Sequence, residues 1–174
     1  MDTYLEYMVK PKKNAAQVLI CIAYYLIAAT LSYVLFYARI PFIIFFYPAV
    51  VFFLFWGAYK LSGKYSVEYE YILTNDELDV DRIIAKKERK RLLTVSVRKF
   101  EIMAPAKGEE FNKEWNSSDV KVKFDASLGE NSKNRYFAKF INKKNEKMIL
   151  VFNPTEEMQK AIKQSNMRNV YLEG

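Results

Sequence analysis

Residues 15–36 read AAQVLICIAYYLIAATLSYVLF, and residues 40–59 read IPFIIFFYPAVVFFLFWGAY. Neither run contains a charged residue, and as helices rising about 1.5 Å per residue they would span roughly 33 and 30 Å. A bilayer core is about 30 Å thick and has no water for backbone groups, so apolar runs of this length cross it as helices. The sequence therefore predicts a transmembrane hairpin over residues 15–59, with both chain ends on one face of the membrane.

Basic residues flank the predicted hairpin unevenly. The flanking lysines are Lys10, Lys12, Lys13, Lys60 and Lys64. Between the helices, the Tyr37-Ala38-Arg39 connection contributes Arg39 alone. Because short cytoplasmic segments carry the excess of Lys and Arg, both termini are predicted to lie in the cytoplasm, including an N-terminal segment over residues 1–14.

The composition does not favour an enzyme or a metalloprotein. The chain has a net charge of +7, one cysteine and no histidine, so no disulfide or zinc site can be assembled from it. No Gly-rich phosphate loop or nucleophile motif is present. Several carboxylates lie in or beside a polar segment where charge is expected anyway; they are Glu101, Glu109, Glu110, Glu114 and Asp119. We expect no catalytic residues, no metal and no cofactor.

Residues 64–166 change to the period-two pattern of half-buried strands. About seven strands without intervening helices predict an antiparallel sheet, interrupted by a long loop over residues 105–118. One amphipathic helix is then predicted, with Asn153 as its N-cap and Pro154 in its first turn. Met158, Ala161 and Ile162 would form its apolar face. Residues 167–174 are predicted to form a C-terminal tail.

The segment Tyr71-Ile72-Leu73-Thr74-Asn75-Asp76-Glu77-Leu78-Asp79-Val80 resembles the strand–turn–strand of bacterial pleckstrin-homology-like (PH-like) domains. The runs over residues 91–97 and 149–154 resemble the same group. The chain thus looks like an uncharacterised family of small bacterial two-span membrane proteins with a PH-like domain. That resemblance implies an α+β membrane protein in which the hairpin precedes a PH-like antiparallel β-barrel of about seven strands, capped by the C-terminal helix. It implies location in a bacterial cell membrane and binding of lipid headgroups, peptides or partner domains, but no catalysis.

The most basic segment of the predicted domain is a candidate surface for anionic lipid. Its cationic residues are Lys86, Lys87, Arg89, Lys90 and Arg91, with Glu88 among them. A lysine or arginine near a membrane surface contributes up to about 1 kcal/mol of attraction to anionic lipid. The alternative is a solvated turn whose charges protect a sheet edge. Lys143, Lys144 and Lys147 form a weaker cluster of the same kind.

Two functions remain open from the sequence. In the first, the protein is a non-enzymatic, membrane-anchored interaction module at the cytoplasmic face that binds anionic headgroups or a protein partner. In the second, it is a structural or assembly subunit of a larger membrane complex, with no ligand of its own. A nucleic-acid partner is not favoured, because the alternating aromatics of Tyr136, Phe137 and Phe140 are typical of a strand facing a core.

Overall fold

The computed structural model describes residues 3–38, 41–142 and 145–172, and within them the chain forms four helices and eight strands. The elements in chain order are β1 (Tyr4–Val9), α1 (Ala15–Tyr37), α2 (Pro41–Gly63), β2 (Val67–Thr74), β3 (Glu77–Ile84), β4 (Glu88–Ser96), β5 (Phe100–Pro105), α3 (Gly108–Trp115), β6 (Val120–Asp125), β7 (Tyr136–Ile141), β8 (Lys147–Phe152) and α4 (Glu156–Ser165).

These elements form two compact units. The first, here called the sheet unit, comprises Met1–Lys12, Glu68–Ile83 and Arg89–Gly174. The second, the helix unit, comprises Lys13–Val67 and Ile84–Glu88. The turn between β3 and β4, with Ile84 and Glu88 on either side of it, therefore belongs to the helix unit, although the rest of both strands belongs to the sheet unit.

The first strand lies in the sheet although the helices separate it from its partner. β1 pairs antiparallel with β2, from Tyr4 opposite Thr74 to Val9 opposite Tyr69. The Thr3 N–H also donates to Asn75 Oδ1 at 3.0 Å. The sequence had predicted no strand before the first helix. In effect, the two helices are inserted into the connection of a β-hairpin.

Helices α1 and α2 run antiparallel to each other. Tyr47 Oη donates to the carbonyl of Ser32 at 3.2 Å, and Cys21 Sγ lies 4.0 Å from the carbonyl of Ser62. The end of α1 therefore contacts the first half of α2, and the start of α1 contacts the end of α2. Asn14 and Gln17 cap the start of α1 with reciprocal side-chain bonds.

Both helices are long and apolar enough to span a membrane. In their most apolar windows only 11% and 6% of residues are buried. Leu19 and Phe45, for example, are 65% and 83% exposed. A core helix of a soluble domain would bury such side chains, and the two helices instead fit a two-span membrane protein. Arg39, which the topology prediction assigned to the connection, lies outside the described residues.

The predicted closed barrel of about seven strands is wrong. The strands form two four-stranded sheets, ordered β1-β2-β3-β4 and β5-β7-β8-β6. The addition of β1 brings the number of strands to eight. The prediction of an entirely antiparallel sheet also fails at one pair, because β6 runs parallel to β8. The segment from Ala126 to Arg135 returns the chain so that β7, and not β6, forms the antiparallel partner of β8.

The main core lies between the two sheets and is closed by α4. Tyr71 of β2 connects the first sheet to the segment that follows β6, since its fully buried hydroxyl donates to the carbonyl of Ala126 at 2.6 Å. Burial raises the pKa of this phenol well above its usual value, so it stays a neutral donor. Met158 and Ile162 of α4 are buried in the same core, as their spacing predicted.

The predicted cap of α4 needs correction. Thr155 is the N-cap, and its hydroxyl accepts from the Met158 N–H. Asn153 is buried and serves another purpose: its side-chain oxygen accepts from the Leu128 N–H at 2.7 Å, and its amide donates to the Lys133 carbonyl. The side chain of an asparagine before a helix can cap that helix or bond to a neighbouring segment. Here Asn153 bonds to the segment that contains Leu128 and Lys133.

The predicted loop over residues 105–118 contains a helix, α3. Phe111 and Trp115, four residues apart on α3, cover the outer face of the second sheet, where Phe111 lies 5.4 Å from the Phe137 ring centre. Glu109 and Glu110 occupy the first turn, where carboxylates favour a helix. The helix has eight residues, of which only two are large and apolar, and so short a segment does not show a helical period in the sequence. The second sheet is thereby buried on both faces, which accounts for the continuous apolar run of β8.

The chain covers one sheet edge with its own C-terminal segment. The Met103 N–H of β5 donates to the Asn169 carbonyl, and the Tyr171 N–H donates to the Met103 carbonyl, both at 2.7 Å. Val170 between them is fully buried. Most of the predicted tail is therefore bound to β5, while Glu173 and Gly174 lie outside the described residues.

The pairing of β1 with β2 predicts how the sheets behave without the helices. A chain in which a short Gly-Ser linker joins Lys10 to Ser66 should fold, because Val9 and Tyr69 are already opposite each other. A fragment that starts at residue 64 should melt at lower temperature and self-associate. It loses the burial of Val9, worth about 2 kcal/mol, and exposes the edge of β2.

Circular dichroism melting and light scattering on the two proteins would test this prediction. Equal melting temperatures and equal monomer content would show that β1 does not stabilise the sheet.

Candidate ion-pair face and basic collar

The five cationic residues singled out in the sequence do not form one turn. Lys86 and Lys87 lie in the turn between β3 and β4, whereas Arg89, Lys90 and Arg91 already belong to β4. The structure thus separates the segment into a short basic turn in the helix unit and a strand that is part of the sheet unit.

Arg89 and Arg91 neutralise carboxylates on the outer face of the first sheet. Glu70 of β2 and Asp81 of β3 are 1% and 2% exposed, burial that carboxylates reach only with partners. Arg89 Nη2 lies 2.5 Å from Glu70 Oε2, an ion pair that is not aligned as a hydrogen bond. Arg91 contacts Asp81 Oδ1 at 3.0 Å and Asp79 Oδ2 at 3.1 Å. These two arginines are already engaged within the domain.

The electrostatics of this face depend on burial and charge together. Burial raises the pKa of Glu70, and the nearby Glu6 carboxylate raises it further, while Arg89 opposes both. The pKa of Arg91 is raised because the Arg91 guanidinium donates a hydrogen bond to Asp81. The lysine preceding the helices joins the same face, because Lys10 Nζ lies 3.2 Å from Glu68 Oε1.

The sequence contains a signal for this face that the prediction missed. Acidic residues alternate at 68 and 70 in β2 and at 79 and 81 in β3, and arginines alternate at 89 and 91 in β4. Alternation within a strand places such residues on one side of a sheet, so opposite charges on adjacent strands become neighbours. The predicted turn over residues 86–91 concealed the match, because it left the arginines outside any strand.

Removal of Arg89 should destabilise the sheet unit in a pH-dependent way. Arg89→Gln leaves the buried Glu70 carboxylate without its partner, and we expect a loss of about 1–3 kcal/mol at neutral pH. The pKa of Glu70 is higher in the folded state than in the unfolded state. Ionised Glu70 therefore lowers the free energy of unfolding at a pH above its folded-state pKa, and it has no such effect at a pH below its unfolded-state pKa. The deficit should therefore shrink as the pH falls and Glu70 becomes protonated.

Urea unfolding at neutral and acid pH would measure this effect. Lys90→Gln is a matched control, since Lys90 is an exposed neighbour with the same charge. The double variant Arg89→Gln, Glu70→Gln should recover most of the loss. A deficit as large at acid pH as at neutral pH would contradict the role assigned to Glu70.

The basic turn has a backbone conformation unusual for its residues. Ala85 and Lys86 have φ angles of 52° and 57°, and the Lys87 N–H donates to the Ile84 carbonyl at 3.0 Å. Such two-residue hairpin turns ordinarily use Asn and Gly, and other residues cost about 1 kcal/mol or more each. Strain of this kind persists where the surroundings impose it and is often found at functional sites.

The surroundings of the basic turn are the end of α2. The Ala85 N–H donates to the Ser66 carbonyl at 2.8 Å, and a Cβ built on Gly63 would lie 3.7 Å from the Ala85 Cβ. Gly63 is the last residue of α2. The turn is thus fixed beside the C-terminal end of the second apolar helix.

Other lysines lie at this same end of the helix pair. Cys21, near the start of α1, connects them, because Lys13 Nζ lies 3.8 Å from its sulfur and the Ser62 carbonyl of α2 lies 4.0 Å away. Lys60 is in the last turn of α2 and Lys64 directly follows the helix. We call this group the basic collar; its members are Lys13, Lys60, Lys64, Lys86 and Lys87.

The basic collar has almost no acidic counterpart. Glu88 is the only acidic residue in the two segments that make up the helix unit. Among residues 3–38, 41–142 and 145–172, no carboxylate forms an ion pair with a collar lysine. Lys60 instead lies 5.3 Å from the centre of the Trp56 ring. The collar therefore combines concentrated positive charge with an apolar helix pair.

Several of the other charged candidates are paired or lie outside the described residues, whereas Glu101, Glu109 and Glu110 are exposed. Lys147 contacts Asp119 at 3.1 Å, and Glu114 contacts Lys139 at 2.6 Å, so two of the loop carboxylates are used in ion pairs. Lys143 and Lys144 lie outside the described residues. Within the part of the chain that is described, no group of three or more histidine, cysteine, aspartate or glutamate residues is placed to hold a metal ion.

Comparison with known proteins gives one match. A family model described as a bacterial PH-like domain (DUF6106) matches residues 1–172. The match includes β1 and both helices as well as the two sheets. No curated protein and no solved structure matches the chain.

Proposed function

Because the chain belongs to the family of bacterial PH-like domains, we propose that it is a non-enzymatic interaction module, anchored in the membrane by α1 and α2, whose basic collar binds anionic lipid headgroups at the cytoplasmic face. The observation that carries the proposal is the position of the collar. Five lysines meet at one end of two exposed apolar helices, where the helices would leave the hydrocarbon and enter the headgroup layer.

The strand pairing supports two crossings of the membrane. β1 precedes the helices and β2 follows them, yet the two strands pair residue by residue. If α1 and α2 cross a membrane as we propose, this pairing requires the segments before and after them to lie on the same side, which supports two crossings over one. The excess of lysine on that side favours the cytoplasm.

The structure also narrows the residues that we propose for headgroup binding. Of the five residues taken from the sequence, Lys86 and Lys87 belong to the collar. Lys90 is exposed on β4, whereas Arg89 and Arg91 contact the buried carboxylates. An arginine committed to a buried carboxylate is a poor headgroup ligand, since its release would leave that carboxylate uncompensated. We therefore assign the binding to Lys86 and Lys87 together with Lys13, Lys60 and Lys64.

The topology can be tested by labelling intact cells. A cysteine at Glu130, an exposed position between β6 and β7, is placed in a Cys21→Ala background. An impermeant maleimide should leave this cysteine unlabelled until the cells are lysed, because the sheet unit lies in the cytoplasm. Labelling before lysis would place the domain outside and contradict the proposal.

Headgroup binding can be tested on the full chain in nanodiscs of neutral lipid with a minor fraction of phosphatidylglycerol. We expect the wild type to retain phosphatidylglycerol on release from the disc, as counted by native mass spectrometry. Lys86→Gln with Lys87→Gln removes about 2 kcal/mol of attraction, so the affinity for phosphatidylglycerol should weaken by roughly 30-fold. High salt should also weaken retention of this lipid by the wild type, because it screens the lysine charges.

Lys113→Gln with Lys121→Gln is the matched control, because both lysines are exposed and the charge change is equal. Equal retention by both double variants would contradict headgroup binding by the collar. In that case the structural-subunit alternative predicts stable co-purification of the full chain with other membrane proteins.

A further inference from the structure

The open side of the two sheets holds a groove whose long walls are strand edges. β4 ends the first sheet and β6 ends the second, and residues of both strands line one groove of about 500 Å³. Leu92 to Ser96 form one wall, and Val122 and Phe124 form the other. Phe140 and Met148, from the inner face of the second sheet, lie between them. This is the place where a closed barrel would have a further strand.

The wall formed by β4 presents backbone groups to a new strand. The N–H of Val97, which directly follows β4, donates to the carbonyl of Asp76, which directly precedes the neighbouring strand β3. In an antiparallel ladder, alternate residues turn their N–H and C=O groups toward opposite sides. The N–H groups of Thr94 and Ser96 therefore point away from β3, toward the open side of β4.

The protein treats two of its sheet edges differently. The edge of β5 is covered by the chain itself, through the bonds from Met103 to Asn169 and Tyr171. Within the described residues, no comparable segment covers β4 or β6. An apolar strand edge without a cover is a template for pairing with another chain.

We propose that this groove binds an extended segment of a partner protein, which adds to β4 as a strand and fills the gap toward β6. The segment pairs with about five residues of β4, or roughly 17 Å of strand. Alternate side chains point at Phe140 and Met148, so the segment has apolar residues at every second position.

The rim of the groove specifies the charge of the segment. Among the described residues, the charged side chains that line the groove are Glu77, Glu146 and Lys99. Two carboxylates against one ammonium favour a lysine or arginine in the bound segment. The proposal uses residues of the sheet unit alone and does not depend on lipid binding by the basic collar.

The test uses the full chain in detergent micelles and a phage-displayed library of random peptides, with empty micelles for counter-selection. We expect enriched peptides to alternate apolar and polar residues and to carry a lysine or arginine. Fluorescein-labelled copies of these peptides then serve as probes for fluorescence anisotropy with the wild type and with variants of β4.

Thr94→Pro is the decisive variant, because proline removes the outward N–H while the inward ladder bonds of β4 belong to other residues. Thr94→Val is its matched control, since it also loses the hydroxyl contact to Asp79 but keeps the N–H. The peptides should bind Thr94→Pro about tenfold more weakly than Thr94→Val. If Thr94→Pro fails to fold by circular dichroism, Val122→Lys on the opposite wall replaces it and should weaken binding similarly.

Three results would overturn the proposal. The first is the absence of any enriched peptide. The second is binding that is equal in Thr94→Pro, Val122→Lys and the wild type. The third is a wild-type dimer that Thr94→Pro converts to a monomer, which would identify a second copy of this chain as the occupant of the groove.

Discussion

The pairing of β1 with β2 is the constraint on which the rest of the structure depends. It joins residues that lie on either side of the whole helical hairpin, and so it requires the chain to leave the sheet and return to it at adjacent strands. The helices are consequently an insertion within one β-hairpin of the PH-like domain. A domain attached by a single terminal helix could turn freely about its linker, whereas a domain attached through two paired strands has two covalent connections to its helices.

The basic residues of this chain divide by the kind of acid they face. Arg89 and Arg91 face carboxylates that the fold has buried, and guanidinium groups suit such sites because their planar donors match a carboxylate. The lysines of the basic collar form no ion pair with a carboxylate among the described residues. The two arginines therefore support the fold, whereas the five collar lysines are those that we propose for headgroup binding.

The sequence predicted the elements whose pattern is complete within a short window. The two apolar runs, the strands with period-two alternation and the apolar face of α4 all belong to this class. It failed where a distant partner decides the outcome. β1 is six residues long and gains its place from β2, α3 is recognisable only by the rings of Phe111 and Trp115 on the outer sheet face, and β6 is parallel because β7 already occupies the other side of β8.

The candidate site shows the same limit. Lys86 and Lys87 were identified from charge alone, but their position beside Gly63 depends on a turn that packs against the end of a helix more than 20 residues earlier in the chain. The roles of Arg89 and Arg91 depend on acidic residues of two other strands. Local charge reveals that a segment is basic, and only the tertiary fold decides which of its charges are neutralised.

The strand that pairs with β1 is synthesised only after both helices, and this order affects how the chain can fold during translation. Val9 pairs with Tyr69, so the first strand leaves the ribosome long before its partner does. At translation rates of about 5–20 residues per second, this delay lasts roughly 3–12 s. During that time both apolar helices are synthesised, whereas β1 has no strand to pair with. In the two-span arrangement that we propose, insertion of the helices would therefore begin before the first sheet can be completed.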